Sequence, residues 1–66
     1  MIITIQGMHS TACEKRVRMA LHHVAGLQVR EVTNGSTVVD GDAEQVARAL
    51  KAIERAGYQP HIGGGW

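Results

Sequence analysis

The donor chemistry of this chain is concentrated in one stretch, "GMHSTAC", which holds Met8, His9, Ser10 and Cys13. Cys13 is the only cysteine among 66 residues. A thiolate is a soft ligand that favours Cu(I) and similar ions, whereas a neutral hydroxyl such as that of Ser10 is a poor one. Imidazole is acceptable to Cu(I) or Zn(II), so His9 is a candidate ligand; a solvated loop histidine is the competing reading. Positions 10 and 13 stand three apart, a spacing that lets two side chains converge where a loop enters a helix. The stretch therefore reads as a soft-metal site, as a reactive thiol, or as the way a strand turns into a helix.

The elements around it fix where these groups must lie. "MIITIQ" has the β-branched content of a strand, and Gly7 ends it. From Thr11 the period becomes helical, with Cys13, Val17, Ala20, Leu21 and Val24 on one face and Lys15, Arg16, Arg18, His22 and His23 mostly on the other. Thr11 and Glu14 have the spacing of a capping box, with Ser10 as a rival cap, and Gly26 is expected to close the helix in a left-handed conformation. Cys13 thus falls in the first turn, where free amide groups and the helix dipole favour its thiolate and Lys15 and Arg16 add positive potential. Because it shares a stripe with Val17 and Leu21, a buried, inert cysteine competes with that reading.

"LQVREVT" and "STVVDG" read as strands joined by an Asn34–Gly35 hairpin turn. Asp42 caps a second helix with Gln45 three residues on, an apolar face of Val46, Ala49, Leu50 and Ile53, and Gly57 at its end. "YQPHI" is a short last strand that Pro60, lacking an amide hydrogen, confines to a sheet edge. Residues 63–66, "GGGW", read as a flexible tail. Arg30 fits the alternation badly, since counting from Val32 turns it inward while Val29 would turn outward; a bulge in an edge strand resolves the conflict. The order βαββαβ is the ferredoxin-like α+β arrangement, two helices on one face of a four-stranded antiparallel sheet.

The remaining features exclude function classes. Seven basic and six acidic residues give a formal net charge of +1, far from a nucleic-acid-binding excess. One Tyr, one Trp and no Phe leave no base-stacking platform. A lone thiol, an N-terminus without a basic leader and the lack of a long apolar run lead to the expectation of one soluble, cytoplasmic domain without membrane insertion. Thiol exchange would need a resolving cysteine, which the sequence lacks.

"GMHSTACEKRVRMALHHVAGLQVREV", followed by "VVDG" and "ALKAIERAGY", resembles the heavy-metal-associated domain of copper chaperones and of metal-transporting P-type ATPases over about residues 1–62. Gly7, Met8 and Cys13 match the family motif G-M-x-C-x-x-C, and Ser10 stands where its first cysteine belongs, as a native variant or as a substitution. The resemblance implies a non-enzymatic carrier that binds Cu(I), with Zn(II) or another soft divalent ion as alternatives, and passes it by ligand exchange to a P-type ATPase or another metal-binding domain. It implies that Met8 packs beneath the loop, that Tyr58 shields the metal, and that Lys15, Arg16 and Arg18 form the partner surface. An acylphosphatase-type enzyme of this topology would need an arginine in the first loop, and the first arginine here is Arg16. With half of the thiolate pair absent, Cys13 could be completed by His9 or by Cys13 of a second chain in a metal-bridged homodimer; the alternative is a degenerate domain that kept the fold as a protein-interaction or regulatory module without the ion.

Overall fold

The computed structural model describes residues 1–8 and 10–63. The elements are β1 (Ile2–Gln6), α1 (Thr11–His22), β2 (Gln28–Thr33), β3 (Ser36–Asp40), α2 (Ala43–Arg55) and β4 (Gln59–Ile62). The strands form one antiparallel sheet in the order β2-β3-β1-β4. This is the expected ferredoxin-like arrangement, with both helices packed on one face.

The core lies between the sheet and the helices. Ile3 and Ile5 of β1 and Val39 of β3 meet Val17 and Leu21 of α1 and Ala49 and Ile53 of α2. Ile3, Val17, Leu21, Val39 and Ile53 are fully buried. Burying a side chain of this kind contributes about 1.5–3 kcal/mol, so these five, and not half-buried Cys13, hold the layers together. Thr37 is the buried polar residue among them, and its hydroxyl donates to the Glu31 carbonyl at 2.7 Å.

The irregular positions follow the sequence in part. The pairing of β2 with β3 shifts between Val29 and Glu31, so a bulge does absorb Arg30 on an edge strand. Freed from the alternation, Arg30 is exposed and pairs with Asp40. Pro60 sits on the other edge strand, opposite Ile5. The capping box of α2 forms as expected, with Asp42 Oδ1 accepting from the Gln45 amide at 2.8 Å and Gln45 Oε1 accepting from the Asp42 amide at 2.9 Å. Its other end is a Schellman motif: the Gly57 amide donates to Glu54 O and the Tyr58 amide to Ile53 O. Gly57 has φ +101°, which a side chain would strain.

Three expectations are corrected. Ser10, not Thr11, is the N-cap of α1, because helical backbone begins at Thr11 itself, and the Thr11–Glu14 box does not form. The first helix ends at His22, before Gly26. Its last turn tightens into bonds spanning three residues, from His23 N to Ala20 O and from Val24 N to Leu21 O, and the Val24 side chain enters the core; Gly26, at φ +80°, belongs to the following turn. In the Asn34–Gly35 hairpin only Gly35 has positive φ, so the turn is not the doubly left-handed type that an Asn-Gly pair favours. At the C-terminal end, the Gly63 amide donates to Ile2 O at 2.9 Å and its carbonyl accepts from Thr4 Oγ1 at 2.7 Å. Residues 64–66 of the expected tail lie outside the described residues.

Candidate metal centre

The loop from β1 to α1 is anchored from below. Met8 is buried and belongs to the core cluster with Ile3, Ile5 and Tyr58. The ring of Tyr58 also lies against Gly7, whose Cβ, were there one, would stand 3.5 Å from Cδ1. His9 lies outside the described residues. Ser10 is exposed, with extended backbone at φ −158° and ψ 170°. Its carbonyl accepts from the Cys13 amide at 3.1 Å and the Glu14 amide at 3.3 Å, so it starts the helix through its main chain.

The Ser10 side chain does something else. It caps no amide; its hydroxyl donates to Cys13 Sγ at 3.7 Å. Cys13 is half-buried in the first turn of α1 and packs against the core cluster. The two readings of its position therefore coexist: the residue packs with the stripe of Val17 and Leu21, and its sulfur faces the loop. Two sulfurs on one metal ion, each about 2.3 Å from it, are separated by at most about 4.6 Å. Side chains at positions 10 and 13 already approach within that range.

A third group meets this sulfur from the far end of the chain. The Schellman turn after α2 directs Tyr58 inward, where it is only 8% exposed. Its phenol pKa is raised above 10.0, first by hydrogen bonding to Cys13, then by desolvation, then by the charge of Cys13; Arg16 opposes the shift through its own hydrogen bond and charge. Cys13, Arg16 and Tyr58 thus form one cluster. The influence of Arg16 on the Tyr58 hydroxyl is absent from the sequence reading, which assigned Arg16 only to a surface. The available signal was the i, i+3 step from Cys13 to Arg16, which places the guanidinium one turn above the thiol.

Lys15 and Arg18, like Arg16, are exposed on α1. His22 and His23 are exposed at the other end of that helix. At 1.5 Å per residue, His22 is about 14 Å along the axis from Cys13. His61 is exposed on β4 and pairs with Thr4, whose neighbours Ile3 and Ile5 face the core, so it belongs to the open face of the sheet. Among the described residues no group of three or more His, Cys, Asp or Glu side chains could hold a metal ion. Nor, among them, is any helix long and apolar enough to cross a membrane.

Similarity to known proteins bears on this loop. The chain is 37% identical over 61 residues to a probable copper-exporting P-type ATPase of Archaeoglobus fulgidus, which covers 92% of this chain and 8% of the ATPase. It is 36% identical over 59 residues to a mercuric reductase of Staphylococcus aureus, covering 88% of this chain and 11% of the reductase. Both relatives are enzymes, and the likeness reaches only a small part of each. The crystal structure of the CopA C-terminal metal binding domain superposes with a TM-score of 0.73 at 35% identity, covering 92% of this chain and 85% of that one. With a family model that matches residues 2–59, these likenesses establish that the chain belongs to the heavy-metal-associated domain family.

Proposed function

We propose that this domain binds a soft metal ion, Cu(I) foremost, through the thiolate of Cys13 and hands it on by ligand exchange. The observation that carries the reading is the convergence of positions 10 and 13 on one point at the mouth of α1, with the Ser10 hydroxyl 3.7 Å from Cys13 Sγ. Copper and mercury, named in the two relatives, are both thiophilic ions. The cargo is held, not transformed, so the activity is carriage and no catalytic step is required of the chain.

One thiolate leaves Cu(I) short of a ligand. Sulfur suits Cu(I) better than imidazole, so the second ligand is Cys13 of a second chain, in a metal-bridged homodimer, with His9 a weaker substitute. A low coordination number lets an incoming thiolate attack before the first one leaves. The recipient is accordingly a protein that presents thiolates, a metal-transporting P-type ATPase or another metal-binding domain, approached across Lys15, Arg16 and Arg18. Met8 and Tyr58 support the loop from beneath.

Anaerobic Cu(I) titration against a competing chelator, on the parent and on Cys13→Ala, tests the assignment. Cys13→Ala should abolish competition for copper while far-UV circular dichroism stays native, because the fully buried residues lie elsewhere. Copper affinity that survives the substitution overturns the metal reading. Its absence in the parent as well would favour the degenerate interaction module, for which Ser10 in place of a sulfur ligand is the supporting observation.

A further inference from the structure

Away from the metal loop, the two helices leave a groove between them. It comprises two adjoining hollows of about 310 and 350 Å³ that share His23, Ala52 and Arg55. The hollows exist because the floor is made of short side chains: Ala20, Val24, Ala25, Ala52 and Ala56. The rim carries only potential cations, namely His23, Arg48, Lys51 and Arg55.

The rim charge is not explained by the fold. Arg48 is held by Glu44 at 2.9 Å. Arg55 lies in the last turn of α2, where it offsets the helix dipole. Lys51 has neither compensation, and among the described residues neither Lys51 nor Arg55 is in an ion pair. Lys51 stands three residues from Arg48 and four from Arg55, and like charges four apart on a helix repel each other. A row of cations along an apolar hollow complements a helix with leucine-like residues on one face and carboxylates beside them, the groove mode of peptide recognition.

We propose that the groove between α1 and α2 docks an acidic amphipathic helix of a partner protein, with apolar side chains over Ala52 and carboxylates on Lys51 and Arg55. Glutamates along one flank of the guest meet the cations of the rim, and its leucines displace water from the hollows. The contact is independent of Cys13 and leaves the metal loop open at the other end of α1, so a domain docked in this way could still exchange its ion.

The test uses the whole chain and a dye-labelled synthetic peptide of Glu and Leu in helical period, followed by fluorescence anisotropy. The peptide should bind, and added salt should weaken it, since the rim is solvated. Lys51→Glu with Arg55→Glu should cost at least about tenfold in Kd, and a peptide with Lys in place of Glu should recover binding to that double variant. Ala52→Met, which fills the floor without altering charge, should weaken the parent peptide as well. Amide shifts on binding should centre on Ala20, Ala52 and Ala56, and Cys13→Ala should leave the affinity unchanged whatever becomes of the metal. The proposal is overturned by no binding, by equal affinity for parent and double variant, by shifts centred on the residues from Ser10 to Arg16, by binding to anionic vesicles in preference to the peptide, or by a groove-dependent self-association that assigns the site to a second copy of the chain.

Discussion

The hydroxyl of Ser10 donates to the sulfur of Cys13 across 3.7 Å, so the position where the family resemblance would put a first cysteine points at Cys13. On the proposed reading this is the geometry of a two-ligand site with the chemistry of one ligand missing. Replacing a single oxygen by sulfur should restore it without moving the backbone.

Ser10→Cys is therefore expected to raise Cu(I) affinity by orders of magnitude and to convert any metal-bridged dimer to a one-to-one monomer. A second soft ligand in the same chain removes the association cost that a bridged site must meet. Chelator competition together with native mass spectrometry reads both effects. A variant that competes for copper no better than the parent would sink the idea that this loop is a family-type site.

In the parent, copper should appear at one ion per two chains, with an apparent affinity that rises with protein concentration. His9→Ala should change that affinity little. If imidazole completed the site instead, binding would weaken as pH fell through the range near 6.5, because a protonated ring cannot ligate. Sub-stoichiometric Cu(I) in native mass spectrometry separates the cases: a purely monomeric complex refutes the bridge.

Tyr58 offers a spectroscopic reading of the same loop, because it is the only tyrosine in the chain. Phenolate absorbance should titrate above 10.0 in the folded protein, since its principal cause is the hydrogen bond to Cys13. Cys13→Ala should bring the midpoint back towards 10.0, and Arg16→Ala, which removes the opposing influence, should push it higher. The raised pKa means that the folded state holds the phenol proton more tightly than the unfolded one. Its contribution to stability is thus fully present below about pH 10 and lost as pH climbs through the folded value. Denaturant midpoints measured in alkaline buffers should fall less steeply for Tyr58→Phe; parallel slopes would contradict the assignment.

The second helix carries the local signals that fix its ends, and their loss should be felt. Asp42→Ala removes the acceptor for the Gln45 amide. It should cost about 1 kcal/mol, or roughly 4–8 °C in Tm for a domain of this size. Urea denaturation with an unchanged m-value would confirm a pure stability effect. A cost below a few tenths would mean that water replaces the cap without loss.

Much of this was legible in the sequence because it is governed by near neighbours. Asp42 with Gln45, Gly57 after α2 and the misfit at Arg30 are each decided within a few residues, so they forecast the capping box, the end of α2 and the bulge on β2. The resemblance of "GMHSTAC" to the family motif likewise needed no coordinates. The start of α1 was misjudged because Ser10 and Thr11 have nearly equal local preference for the cap, and the strand and loop that precede them decide between the two. The early end of α1 had a similar cause: its last turn tightens where Val24 enters the core, which depends on the layer beneath it.

What the local pattern of residues could not decide is the surroundings of Cys13, where Tyr58 was expected only through the family resemblance. Tyr58 comes from 45 residues further along the chain, and it reaches the sulfur because β4 lies beside β1 and the turn after α2 opens at the mouth of α1. No periodicity records that meeting. The same holds for the groove, where Ala20 and Ala52 are unremarkable small residues in sequence and become a floor only when two helices are laid side by side on one sheet. Local conformation is set by short-range sterics and hydrogen bonds that a single sequence displays, whereas the pairing of distant side chains depends on how the layers close over the core.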